Sequence, residues 1–321
     1  MKFKIKNLKF IRGQSLVELL VAVAIGTILI GGSVTLMGVS LKSYAGIRKH
    51  FQANVLIRQA TEIIQSLARS NWHSVYDLTK ASDYKVDLSG NTWIISSGQE
   101  TGAVNDIPYK RYFRVYNVSR DESGNMAETG DDDPSTQKIT IFLEYGNNYL
   151  SSSTLSFFLT RSENNKTLHQ TDWSGGSGQT GPISNAGNKF DTFSNIDYAS
   201  TTGQITMTTA TTTPAELVSS ILDIGVSGGA GFNSLLWQGS LDTGGSVKFQ
   251  IAFSNSSSGP WTYYGPISTS DWYEPNPNVS ISFPIAWEAS PQNNRYICYK
   301  VQLSTTDTSP QINDIIINWS P

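Results

Sequence analysis

Glu18 is the one carboxylate at the margin of a long uncharged run. From Leu19 to Leu41 the chain reads LLVAVAIGTILIGGSVTLMGVSL with no charged side chain. An acid at the edge of a membrane helix is costly to leave unpaired, so it marks a functional position by default. The chemistry open to it is neutralisation of a cation brought to the same depth. Immediately before it lie Arg12, Gly13, Gln14, Ser15, Leu16 and Val17, and before those Lys2, Lys4, Lys6 and Lys9 with no acid among them. A basic leader ahead of an apolar run stays cytoplasmic by the positive-inside rule.

The element that must position Glu18 is a helix. At ~1.5 Å rise per residue, Leu19 to Leu41 spans roughly 34 Å, enough to cross a hydrocarbon core of about 30 Å. A secretory signal would have a shorter apolar core of about 7–15 residues and a small-residue cleavage site after it; this run is longer and continues as helix. Tyr44, Ile47, Phe51, Val55, Ala60, Ile63, Ile64 and Leu67 recur at helical steps, with Arg48, Lys49, Gln52, Arg58, Gln59 and Glu62 between them. One helix from about Ser15 to Ser70 is therefore predicted, half in lipid and half amphipathic. Gly26, Gly31, Gly32 and Gly38 lie inside it and permit close helix approach.

A glycine at 13, an acid as the fifth residue after it, then an uninterrupted apolar helix: this order resembles the class III signal of type IV prepilins and pseudopilins. The resemblance implies that a membrane-embedded prepilin peptidase cuts between Gly13 and Gln14 on the cytoplasmic side, and that the new amino group of Gln14 is methylated. It covers residues 1 to 70 closely and the remainder in general layout. Gln14 departs from the family's usual Phe or Met. With a single Cys298, the chain also lacks the intrachain disulfide that staples many type IV pilins. A small buried hydrophobe is the expected role for that cysteine.

Given that cut, the physics of Glu18 follows. The amine of Gln14 has an unperturbed pKa of about 7.7–8.0 and is cationic near neutrality. It lies one helical turn away, and in an assembly a neighbouring subunit's amine can replace it. Charges at low dielectric penalise any register that leaves one unmatched by several kcal/mol. Glu18 is thus expected to act in assembly, fixing subunit register.

Composition bounds the rest. The 321 residues suffice for two or three domains, and a net charge of -3 with 15% charged residues leaves no basic footprint, so no nucleic-acid partner is expected. After Asn71 the periodicity changes to two. Tyr109–Val118, Lys138–Tyr145 and Thr154–Thr160 read as strands, with a polar turn segment from Asp121 to Pro134 between the first two. Residues 71–161 are read as a β head. Residues 162–214, rich in Gly, Ser, Thr and Asn, are read as a linker, with Phe190, Phe193, Ile196 and Ile205 docking part of it on a neighbour. Residues 215–321 carry alternating runs at Leu217–Ile224, Ser234–Gln238, Val247–Phe253, Tyr296–Leu303 and Ile312–Trp319, and hold Trp237, Trp261, Trp272, Trp287 and Trp319. A β-sandwich is expected there. The predicted fold class is α+β: a leader at 1–13, a long transmembrane helix spine at 14–70, an antiparallel head and a C-terminal sandwich.

No catalytic constellation stands out, so enzymatic activity is not expected, and no cofactor is implied. His50, His73 and His169 have no ligand spacing, which argues against a metal centre; His50 is expected to be solvated. Asp131, Asp132 and Asp133 offer oxygen ligands for calcium but lack EF-hand spacing, and a solvated acidic loop is expected. Trp261 and Tyr263 alternate as core rings do, whereas Trp272 and Tyr273, followed by Glu274 and Pro275, read as an exposed loop and a candidate surface for stacking on sugars. Two functional readings stay open. The first is a minor pilin or pseudopilin, with prepilin peptidase, other pilin subunits and the membrane as partners, because a large terminal domain would crowd every position of a tight filament. The second is an adhesin or carbohydrate binder displayed on the same helix. In both, the head lies outside a bacterial cytoplasmic membrane crossed once.

Overall fold

The computed structural model describes residues 16–121, 123–173, 189–284 and 289–321. Helix α1, Leu16–Ser70, is a single 55-residue element, about 80 Å long at ~1.5 Å per residue. No proline interrupts it, and it ends where Ser70 Oγ folds back on the Leu67 carbonyl (2.8 Å) and Asn164 Nδ2 donates to the carbonyl of Arg69 (2.7 Å). A short α2, His73–Tyr76, follows.

The head is one antiparallel sheet built from β1 (Tyr84–Ser89), β2 (Thr92–Ser97), β3 (Glu100–Val104), β4 (Ile107–Arg120), β5 (Met126–Ala127), β6 (Asp131–Tyr145) and β7 (Ser151–Thr160). Its order is β2-β1-β4-β6-β7, with β3 and β5 also on β4. Ala53, Ile57, Ala60 and Ile64 form the inner stripe of α1 and pack on Phe113, Val115, Ile139, Ile141 and Leu143, all buried. Alternation on β4 and β6 sends these side chains to the helix face and leaves Tyr112 and Phe142 stacked on the other. Asp131, Asp132 and Asp133 open β6 rather than forming a loop; Asp131 and Asp132 are exposed, as expected of a solvated acidic run, whereas Asp133 is fully buried.

The distal unit comprises β8 (Lys166–Gln170), β9 (Phe190–Ser194), β10 (Ile196–Asp197), β11 (Thr206–Met207), β12 (Ala215–Ser219), β13 (Leu222–Asp223), β14 (Gly231–Ser240), β15 (Ser246–Ser254), β16 (Ile281–Ser282), β17 (Tyr296–Ser304) and β18 (Gln311–Ser320). One sheet runs β13-β17-β12-β9, with β15 also pairing β17 along its length; the other runs β16-β14-β18-β8. Phe249, Ile251, Tyr299 and Val301 from the first face Leu235, Trp237, Ile315 and Ile317 from the second in one core. This is a sandwich-like arrangement.

The expected linker over 162–214 is corrected here. Lys166–Gln170 is the edge strand beside β18, and Phe190–Ser194 pairs with β12. Trp173, Phe190, Ile196, Ile205 and Met207 are buried in the distal core. The sandwich therefore begins near residue 166, not 215, because these residues fill the core between the sheets.

Candidate functional site

Glu18 lies in the first turn of α1 as described, where a carboxylate complements the helix dipole. Gly13 and Gln14, the expected cleavage and methylation positions, lie outside the described residues. Over the uncharged run that follows Glu18 the helix is bare. Its most apolar 18-residue window has a mean hydropathy of 2.3, and none of it is buried against the rest of the chain. A Cβ built at Gly26, Gly31, Gly32 or Gly38 would meet nothing within 4 Å, so any close packing these glycines serve must come from outside this chain.

The bare surface continues past the uncharged run. Tyr44, Ile47, Phe51 and Val55 are 52–68% exposed. At ~100° per residue they form a stripe opposite the inner stripe that begins at Ala53. Over these turns α1 is apolar on two faces, and the head covers one. The outer stripe ends at the exposed ion pair Arg58–Glu62 (2.9 Å).

The C-terminal end of α1 carries the sandwich. His73 on α2 places Nδ1 3.0 Å from Asp77 Oδ1 and Nε2 2.9 Å from the Gly229 carbonyl of the sandwich. Arg161, in the turn after β7, is 3% exposed. It donates to Asn293 Oδ1 (2.7 Å), to the Pro321 carbonyl (3.2 Å) and to the Gly229 carbonyl. Burial pushes its pKa down to about 10, against the opposing influence of Tyr76 and Asp77. In sequence, Arg161 carries no site signal and His73 stands apart from the other histidines. Neither has local spacing that signals a partner, since the groups they meet lie far along the chain.

The candidate ligand residues are placed differently from one another. Tyr273 exchanges backbone hydrogen bonds with Phe249 on β15 (2.8 and 2.9 Å), and its ring packs against the core rather than standing in an exposed loop. Burial raises its phenol to about 12. Trp272 is half-buried, and neighbours in extended backbone alternate faces, so the two rings do not make one flat platform. Tyr263 is half-buried rather than core, with its hydroxyl 3.3 Å from Cys298 Sγ and Lys300 Nζ 4.3 Å from its ring centroid. Cys298 is 2% exposed, and burial pushes its thiol up to about 12, which leaves it unreactive. Trp287 lies outside the described residues.

Asp133 accepts from Arg120 Nε (2.7 Å) and the Ser135 amide (2.9 Å), so its oxygens are engaged within the sheet. Among the described residues no group of three or more His, Cys, Asp or Glu is placed to hold a metal. His50 is exposed as expected, but it also bonds the buried Tyr145 hydroxyl (2.8 Å).

Residues 8–34 match the family model described as the prokaryotic N-terminal methylation motif. That motif, leading into the long apolar α1, supports a type IV pilin-like protein, and the helix is consistent with membrane anchoring. No curated protein matches the chain. A solved structure described as "Structural basis for the promiscuous specificity of the carbohydrate-binding modules from the beta-sandwich super family" aligns over 76% of this chain and 100% of its own. Its identity is 11% and its TM-score 0.23, and a likeness at that level carries no argument about ligand.

Proposed function

We propose that this protein is a minor pilin or pseudopilin, a structural rather than enzymatic subunit that occupies a terminal or sparse position in a type IV pilus or secretion pseudopilus. The observation that carries this reading is where the bulk sits on α1. The sandwich docks at the Arg69 end, far from the apolar segment, and leaves Tyr44, Ile47, Phe51 and Val55 bare. A subunit that packs through α1 needs that outer stripe free, because exposed apolar surface on this scale is stabilised only when covered. A module of some 150 residues on the far end of the head would meet a subunit laid above it, whereas at a filament end it meets none. On this reading the leader faces the cytoplasm, prepilin peptidase removes it, and the head and sandwich lie outside.

A second reading, a displayed surface or glycan binder, is favoured by one observation: Ile267 is 81% exposed in the same loop as the half-buried Trp272. The deciding experiment is to shear filaments from producing cells, quantify the chain against the major subunit, and label the sandwich with gold. Sub-stoichiometric amounts with label at filament ends support the first reading. Label along the whole shaft, or no chain in the sheared fraction, defeats it. Glycan-array binding by the protein that is lost in Trp272→Ala would favour the second.

A further inference from the structure

The head and the sandwich have separate apolar cores that share no residue. The backbone crosses between them once, through the turn Arg161–Asn164. Side-chain hydrogen bonds join them at this junction: Arg161 to Asn293, Gly229 and Pro321, His73 to Gly229, and Ser135 Oγ to Gln292 Oε1 (2.6 Å). Interfaces of this kind do not by themselves prevent relative domain motion, since that takes a large hydrophobic contact.

The sandwich loop is shaped for this contact. Gly228 has φ +83°, and a Cβ there would stand 2.8 Å from the His73 ring; at Gly229 (φ +86°) it would stand 2.3 Å from the backbone carbon of Asn293. Glycine is what lets the carbonyl of 229 come within reach of both Arg161 and His73. The crossing segment is tied at both ends. Asn164 bonds the α1 terminus, and Asn165 Oδ1 accepts from Asn233 Nδ2 (3.1 Å) and Ser320 Oγ (2.7 Å) of the sandwich. Arg161 thus directs a buried charge at three oxygens, from Gly229, Asn293 and Pro321, an arrangement that is strongly directional whatever its net stability.

We propose that Arg161 is the pin of a releasable latch: while its guanidinium is seated among Gly229, Asn293 and Pro321, head and sandwich move as one rigid arm. When it is unseated, the sandwich swings about the turn as a folded body. Neither core changes, so release needs no unfolding, and the sandwich becomes free to reorient toward a surface or a neighbouring subunit.

The test uses the full chain in detergent, spin-labelled at Ser152→Cys on the head and Thr243→Cys on the sandwich, both exposed positions; the buried native thiol does not compete. The parent should give a single narrow inter-label distance. In Arg161→Gln that distribution should roughly double in width, with circular dichroism unchanged. Asn293→Gly removes one acceptor at a position with φ 57°, where glycine folds without strain, and should broaden the distance by less. An Arg161→Gln chain that stays folded with the parent's narrow distance would overturn the latch. Should Arg161→Gln fail to fold, the parent's narrow distance persisting in a folded Asn293→Gly would overturn it equally.

Discussion

Arg111, on the helix face of β4 and 4% exposed, donates through Nη1 to the main-chain carbonyl of Leu56 in the C-terminal half of α1 at 2.6 Å. Its Nε holds Glu100 Oε2 at 2.8 Å, and Tyr109 donates to the other carboxylate oxygen at 2.7 Å. A strand arginine thereby pins the helix to the sheet beside the apolar contact. Arg111→Met keeps the volume but leaves Glu100 half-buried without its cation. We expect a loss of about 2–4 kcal/mol, seen by calorimetry as a head transition lowered by roughly 10 °C or more. The sandwich transition should stay in place because its core is separate, and an unmoved head transition would refute the role given to the pin.

Processing at the leader can be read directly. In cells with prepilin peptidase the mature terminus should be methylated Gln14, and Gly13→Ala should slow or block the cut, because a Cβ intrudes where the protease needs close backbone approach. Mass spectrometry that finds the intact leader in peptidase-positive cells would contradict this.

Glu18→Leu should separate assembly from folding. The substitution makes the anchor more apolar, so synthesis, cleavage and membrane retention should be unharmed. What should be lost is the pairing with a neighbour's Gln14 amine, a penalty of several kcal/mol where that amine is left alone at low dielectric. The variant should be absent from sheared filaments; wild-type amounts there would make the acid incidental.

The smallest autonomous distal unit should be 166–321. A chain starting at 215 loses the edge strand β8, the strand β9 and the buried Trp173, Phe190, Ile196, Ile205 and Met207. At ~1.5–3 kcal/mol per buried large side chain, that loss is comparable with a whole domain's stability of about 5–15 kcal/mol. Residues 166–321 should give a dispersed NMR spectrum and 215–321 a collapsed one; two equally dispersed spectra would show that the earlier residues are dispensable.

Acid should loosen the base of β13. The Asp223 carboxyl is held below its ordinary 3.8 chiefly by its hydrogen bonds to Arg295, with burial opposing and the Gly225 amide helping. A carboxylate whose pKa is depressed by folding contributes stability that is present above the ordinary value and lost as pH falls through the depressed one. Arg295→Gln should therefore move the Asp223 titration, followed by carboxyl-carbon NMR, upward toward the ordinary value. An unchanged titration would mean that the pair observed at 2.8 Å does not persist in solution.

Local pattern was enough where one residue's neighbours in sequence are also its neighbours in space. The uncharged run from Leu19 to Leu41 and the helical spacing from Tyr44 to Leu67 specify α1 without reference to anything else, since helix hydrogen bonds close within four residues. Alternation at Lys138–Tyr145, Tyr296–Leu303 and Ile312–Trp319 identified central strands for a similar reason: each presents one face to a core. The strands that went unread are those with little of that signal. Thr92–Ser97 is mostly exposed or half-exposed, Lys166–Gln170 is polar at four of five positions, and Phe190–Ser194 has two rings in five residues. Their pairing comes from partners elsewhere in the chain, β1, β18 and β12 respectively. The junction lay furthest from the sequence. His73, Arg161, Gly229, Asn293 and Pro321 come from five separate segments, and each residue type is unremarkable where it stands. Glu18 belongs to the first kind, marked by its place in a local run. Arg161 belongs to the second, because a guanidinium becomes a pin only after the tertiary fold has removed water from around it and set three oxygens in its reach.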